Sequence, residues 1–309
     1  MPYIKHFALA SAALASTATL ASGDTVSFAQ PTLDRWMYPF NATIGARETG
    51  STFGAAGTEG TFDDRDAQIL LGFDTSGQAP TGQGGSAYAV TSVTLTATHV
   101  GSTAFAYDST YDAIDTFGEG STDGDAGRPI ELFGVGFRSG FSGFGYSPAL
   151  PSPPFFKEDT AYAFGDPSAE GVRDAFAAAA DGTDVSNHIS DGFDVTPFAV
   201  GQAPLAEGVD VPQFTTFTFD LDLSDDDVLA YVRDGLDAGS LGFALSSLHG
   251  ATFGGSPSYP IFALRENNNA GAVPVTLDIE YTLVPEPTTL AVAAMASLTL
   301  LRRRRRPTA

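Results

Sequence analysis

The chain has 309 residues, the length of one large domain or two ordinary ones, and a net charge of −22 from 37 acidic and 15 basic residues. It has no cysteine, which excludes disulfide staples and cysteine-based metal or redox sites. Its negative field repels nucleic acid and anionic membrane surfaces, so neither is an expected partner of the folded body.

At the N-terminus, Lys5 and His6 precede an alanine-rich apolar run, 7–20, and the small residues Ala21, Ser22 and Gly23. This order reads as a signal peptide over 1–23, cut by signal peptidase before Asp24; the alternative is a buried N-terminal helix. The body, 24–283, holds nine basic residues against 36 acidic ones, a net charge of −27, with Lys157 as its only lysine. Most of the excess is aspartate, which suits a salty habitat or calcium-rich surroundings, because calcium takes hard oxygen ligands. An exported chain without disulfides is held by its core, by ions, or by both.

Early in the body Trp36, Tyr38 and Phe40 alternate with Met37 and Pro39, so the three rings share one side of an extended segment. Trp36 and Tyr38 are a candidate sugar platform. The competing explanation is core packing, since most of 24 phenylalanines and a tryptophan must be buried. The turn Asp63-Asp64-Arg65-Asp66 groups carboxylates. Apolar runs at 68–74, 130–137, 241–248 and 259–264 predict strands buried on more than one side. Clean alternation over 91–100, 217–223 and 275–283 predicts strands with one wet face, for example Val93, Leu95 and Ala97 against Thr94, Thr96 and Thr98.

A second acidic turn, Asp123-Gly124-Asp125-Ala126-Gly127, places Asp123 and Asp125 as candidate calcium ligands. Aspartate and glycine also favour turns without any metal. The segment 107–211 differs in texture, with a Gly/Asp loop at 118–127, a Phe/Gly run at 133–146 and a proline stretch at 147–154 flanked by Tyr146, Phe155 and Phe156. It is expected to be a long insertion or a separate lobe. Two helices are expected: the alanine-rich 169–180, and 225–236 with Ser224 as N-cap, an apolar stripe of Val228, Leu229 and Val232, and three aspartates at the positive end of the helix dipole. The aspartates are explained by capping rather than by a metal.

Many short strands with few helices predict an all-β fold, an antiparallel β-sandwich of jelly-roll type with two short helices and a central insertion. The pieces 66–74 (DAQILLGFD), 90–96 (VTSVTLT), Phe193-Asp194-Val195-Thr196, 232–245 with its GSLGFAL strand, 262–267 (FALREN) and 274–281 (PVTLDIEY) follow one another as in the exported DNRLRE-type β-sandwich modules. The body resembles that family, which is itself similar to some carbohydrate-binding modules. The resemblance covers both flanks of the body and not its middle, and it implies a fold more than a ligand.

The tail 284–309 carries Pro285, Glu286 and Pro287, then a 14-residue apolar segment, 288–301, then Arg302, Arg303, Arg304, Arg305 and Arg306. Fourteen residues fall short of the roughly 20 that span a bilayer as a helix. Five adjacent like charges, however, belong in water on the cytoplasmic side. This tail resembles the PEP-CTERM sorting signal. The resemblance implies that Pro285, Glu286 and Pro287 are the recognition motif of exosortase, that the arginines are the membrane stop, and that the tail anchors the chain in the membrane before transfer to the surface or matrix.

Histidines His99, His188 and His249 fall in no serine-elbow, paired-histidine zinc or cysteine-nucleophile pattern. The expectation is a protein without catalytic activity or cofactor, structural calcium aside. It is exported and membrane-anchored, then structural or adhesive at the cell surface or in an extracellular matrix. The alternative is a carbohydrate-binding module whose partner is an extracellular polysaccharide.

Overall fold

The computed structural model describes residues 23–38, 47–55, 64–117, 124–137, 175–251 and 258–284. In chain order the elements are β1 (Asp24–Phe28), β2 (Leu33–Met37), β3 (Thr49–Ser51), β4 (Phe53–Ala55), β5 (Asp64–Asp74), β6 (Tyr88–Thr98), β7 (Ile130–Phe137), β8 (Ala175–Ala178) and α1 (His188–Asp191). They continue with β9 (Ala199–Val200), β10 (Thr216–Asp220), α2 (Asp226–Ala238), β11 (Ser240–Ser247), β12 (Ile261–Ala263) and β13 (Thr276–Leu283).

One sheet has the order β1-β13-β6-β10; the other runs β2-β5-β11-β7-β8, with β4 also on β5 and β9 also on β7. β3 and β12 form a separate pair. Numbering β1, β5, β6, β7, β9, β10, β11 and β13 from first to eighth, the sheets read 1-8-3-6 and 2-7-4-5. That interleaving of two antiparallel sheets is the jelly-roll sandwich. Described parts of 107–211 contribute β7, β8 and β9 to the second sheet.

The two sheets differ in the way their sequence patterns require. In the first, Val93, Leu95, Ala97, Phe217, Phe219, Leu277, Ile279 and Tyr281 point into the inter-sheet core. The outer face is a polar ladder: Ser27 donates to Asp278 (2.5 Å), Thr94 to Asp220 (2.6 Å), and the hydroxyls of Thr96 and Thr276 meet at 2.6 Å. In the second sheet Ile69, Leu71, Leu132, Phe243 and Leu245 face that same core. The opposite face, with Leu70, Phe133, Val135 and Ala244, is buried as well, in a second cluster with Ala175, Ala177, Val185 and Val195. Continuous apolar runs such as 69–71 follow from burial on both faces. On this outer face Arg65 pairs with Glu131, lies 4.8 Å over the Phe133 ring and donates to Ser246 at 3.2 Å.

The helix expected over 169–180 is not formed in its described part: residues 175–178 are β8, and 169–174 lie outside the described residues. Ala175–Ala178 pairs with Gly134–Phe137 of β7. A Cβ at Gly136 would overlap the Phe176 ring, so the glycine at this position of the Phe/Gly run is what admits the strand. Alanine's helix propensity, a few tenths of a kcal/mol per residue, loses to a paired and buried strand.

The second expected helix is α2. Its N-cap is Asp225 rather than Ser224: Asp225 Oδ1 accepts from the amides of Asp227 (2.9 Å) and Val228 (3.3 Å). Ser224 instead donates its hydroxyl to Asp222 (2.5 Å). The buried stripe is Val228, Val232 and Leu236, and Gly239 ends the helix in the left-handed conformation with φ 80°. Tyr231 locks α2 onto the second sheet, its hydroxyl donating to Gly242 O (2.8 Å) and accepting from Val135 N (2.9 Å).

Candidate functional site

The loop that follows β6 is where the structure concentrates carboxylates. It starts from an aromatic anchor. The Phe105 ring lies 5.1 Å from His99 and 4.7 Å from His249, both edge-on. His99 Nδ1 accepts from Ile261 N at 3.2 Å. Burial lowers the His99 pKa to about 4, and lowers that of His249 to about 3 with help from the charges of Arg128 and His99.

From this anchor, 105–107 runs beside 209–211, through Val211 N to Phe105 O (2.9 Å) and Tyr107 N to Val209 O (2.8 Å). The Tyr107 ring packs 6.2 Å from Phe217, and its hydroxyl accepts from Ala203 N at 2.9 Å. Asp108 therefore leaves a fixed backbone. Its Oδ1 accepts from the Thr110 amide and hydroxyl, each at 2.8 Å. Asp112 follows four residues later and accepts from Arg128 Nη1 at 2.7 Å, while the Arg128 guanidinium lies 4.4 Å from the Phe117 ring centre.

The returning segment closes onto this one at Gly127, whose φ is 115°. A Cβ there would sit 2.9 Å from Ala106 O and 3.1 Å from Asp108 Cβ, so only glycine permits the approach. Asp125 is thereby brought to Thr110, whose hydroxyl lies 2.7 Å from Asp125 Oδ2. One carboxylate oxygen from each of Asp108, Asp112 and Asp125 falls within 4.8 Å of the others. Asp108 and Asp112 are 2% and 5% exposed, and Asp125 is open to solvent. Burial raises the Asp108 pKa, and the charges of Asp125 and Glu207 raise it further against the lowering effect of Thr110.

Of the two calcium ligands expected from sequence, Asp125 is in this cluster and Asp123 lies outside the described residues. Asp108 and Asp112 were missed. Their i,i+4 spacing in D-S-T-Y-D was the available signal, but they join Asp125 only through the turn at Gly127. In the earlier turn, Asp63 lies outside the described residues. Asp64 accepts from Ile189 N (2.6 Å) and Ser190 N (3.0 Å) at the start of α1. His188, 3.9 Å from Asp64, has its pKa lowered to about 3 by burial and by the Arg65 charge.

Trp36 and Tyr38 are also brought together. Their rings stack at 4.9 Å and 19°, and Trp36 Nε1 donates to Ser51 O at 2.9 Å. Tyr38 meets the Phe53 ring edge-on at 5.5 Å, Phe53 meets Tyr259 at 4.6 Å, and the Arg47 guanidinium lies 5.7 Å from the Trp36 ring centre. The pair thus sits half-buried in a small satellite cluster with Phe53, Ala67, Ala251 and Tyr259. Phe40, Tyr146, Phe155 and Phe156 lie outside the described residues, as do residues 1–22 of the expected signal peptide 1–23 and the tail from Pro285 onward. Among the described residues no helix is long and apolar enough to cross a membrane. No protein-family model, no curated protein and no solved structure matches this chain.

Proposed function

We propose that this chain is an exported structural or adhesive component of the cell surface or of an extracellular matrix, secreted by its leader and sorted by its tail. The observation that carries this reading is the order of the tail: Pro285-Glu286-Pro287, an apolar segment, then five arginines. Proline removes backbone donors and holds the preceding residue extended, which suits a segment read by a protease. The PEP-CTERM resemblance supplies the enzyme, an exosortase.

The register of the first and last strands supports display. Asp24, the first residue of β1, pairs with Tyr281 near the end of β13, and Leu283 pairs with Tyr88 at the start of β6. Leader and tail therefore leave the sandwich side by side. The acidic loop departs beyond Thr98, at the other end of the 11-residue strand β6, about 35 Å away at ~3.3 Å per residue. A chain held by its tail would present that loop away from the membrane.

Deleting residues 284–309 is expected to release soluble protein into the medium of the native host. Continued surface retention of the deleted chain overturns the sorting assignment. The alternative, a carbohydrate-binding module, rests on the Trp36–Tyr38 pair, and a glycan array run beside Trp36→Ala separates the two. Glycan binding that disappears in the variant would favour the module; no binding by the native chain is the outcome expected of a structural role.

A further inference from the structure

We infer that Asp108, Asp112 and Asp125, with the hydroxyl of Thr110, form a calcium-type divalent-cation site that ties the loop after β6 to the segment returning to β7. The inference stands independently of the sorting tail. Oxygens bound at 2.3–2.6 Å to one calcium ion lie no more than about 5 Å apart. The carboxylate oxygens here meet that limit, all within 4.8 Å of one another.

Proximity of acids does not by itself make a site; a separate feature of Asp108 points to a missing ligand. Asp108 is 2% exposed, and its Oδ2 is buried with no hydrogen-bond partner among the described residues. A buried carboxylate oxygen is expected to have a donor or a cation. Its other oxygen, Oδ1, is already used by the Thr110 amide and hydroxyl. The electrostatic surroundings agree. Arg128 offsets the charge of Asp112 at 2.7 Å, whereas Asp108 feels Asp125 and Glu207, two further negative charges. Thr110 has one hydroxyl proton for two contacts, 2.8 Å to Asp108 and 2.7 Å to Asp125, and a bound cation would remove that shortage.

The donor set selects the ion class. All donors are hard oxygens, with no nitrogen or sulfur among them, which disfavours zinc and copper and leaves calcium, magnesium or manganese. Carboxylates from two loop segments, with a solvent-open side at Asp125, suit calcium's irregular six-to-eight coordination. Magnesium demands near-ideal octahedral geometry and keeps its waters.

The test is a calorimetric titration and a thermal melt of the full chain, stripped with chelator and then given calcium chloride or magnesium chloride. One calcium per chain is expected to bind with a dissociation constant in the range of about 10⁻⁵ to 10⁻³ M. The melting temperature should rise by several degrees at millimolar calcium and clearly less with magnesium. Asp108→Asn and Asp125→Asn should each lower calcium affinity at least tenfold and abolish most of the shift. Asp125 is exposed, so its variant keeps the test valid if Asp108→Asn folds poorly. Identical melts with chelator and with calcium overturn the inference. So does an unchanged calcium response in Asp125→Asn, which would place the ion elsewhere, or an equal response to magnesium.

Discussion

Acidification from pH 7 to pH 4 is expected to destabilise the body by about 5 kcal/mol, enough to unfold a protein of ordinary stability. The cause is three buried histidines. Burial lowers the pKa of His99 to about 4 and those of His188 and His249 to about 3, whereas all three take up a proton near 6.5 once unfolded. Below pH 6.5 the unfolded chain binds more protons than the folded one, so stability falls as pH falls, by up to about 1.4 kcal/mol per pH unit for each histidine. Asp34 acts in the opposite sense. Burial raises its pKa to about 7 against the 2.6 Å hydrogen bond it accepts from Arg265 N. Its contribution is therefore present at low pH and lost as pH rises through 7. Asp34 against three histidines leaves a net slope of roughly 2–3 kcal/mol per pH unit between pH 6 and 4, which Asp108, its pKa also raised by burial, reduces. Urea unfolding followed by circular dichroism at pH 7, 6, 5 and 4 measures this slope directly. Asp34→Asn should steepen it, because one of the opposing carboxyls is gone. A midpoint that stays level over this range would mean that the imidazoles are solvated or paired as cations.

Phe243→Ala is expected to cost about 3–5 kcal/mol, the range for truncating a fully buried phenylalanine. Phe243 is 0% exposed in β11, the strand at the middle of the second sheet. Its ring lies 6.4 Å from both Phe73 and Tyr231, so truncation opens a hole between β5 and α2 that neither rigid neighbour can fill. No disulfide limits the unfolded chain, so the loss appears in full as a lower urea midpoint with little change in slope. Val209→Ala is the control: Val209 is 47% exposed, and its truncation should stay within about 0.5 kcal/mol. Equal stability of the two variants would contradict the placement of β11 at the centre of the core.

Most strands were legible because a half-buried strand must alternate and a doubly buried one cannot. The run 130–137 coincides with β7, and Leu277, Ile279 and Tyr281 of β13 are buried as their alternation requires. Residues 175–178 misled because alanine is compatible with either state. What decided for a strand was a distant partner, Gly136 of β7, whose missing side chain leaves room for Phe176. The acidic cluster was half legible for a related reason. Asp125 advertises a turn, whereas Asp108 and Asp112 become its neighbours only because Gly127 adopts a conformation closed to other residues. The same limit applies to the aromatics: alternation placed Trp36 and Tyr38 on one side, and only the fold could stack them on each other.

By itself, then, the sequence determined the fold class, the sidedness of each sheet and the absence of disulfides, because these depend on local periodicity and composition. The tertiary structure alone decided the jelly-roll strand order, the identity of 175–178 as a strand and the meeting of Asp108, Asp112 and Asp125. Each of those depends on contacts between residues far apart in the chain, where close packing rather than local preference selects the outcome.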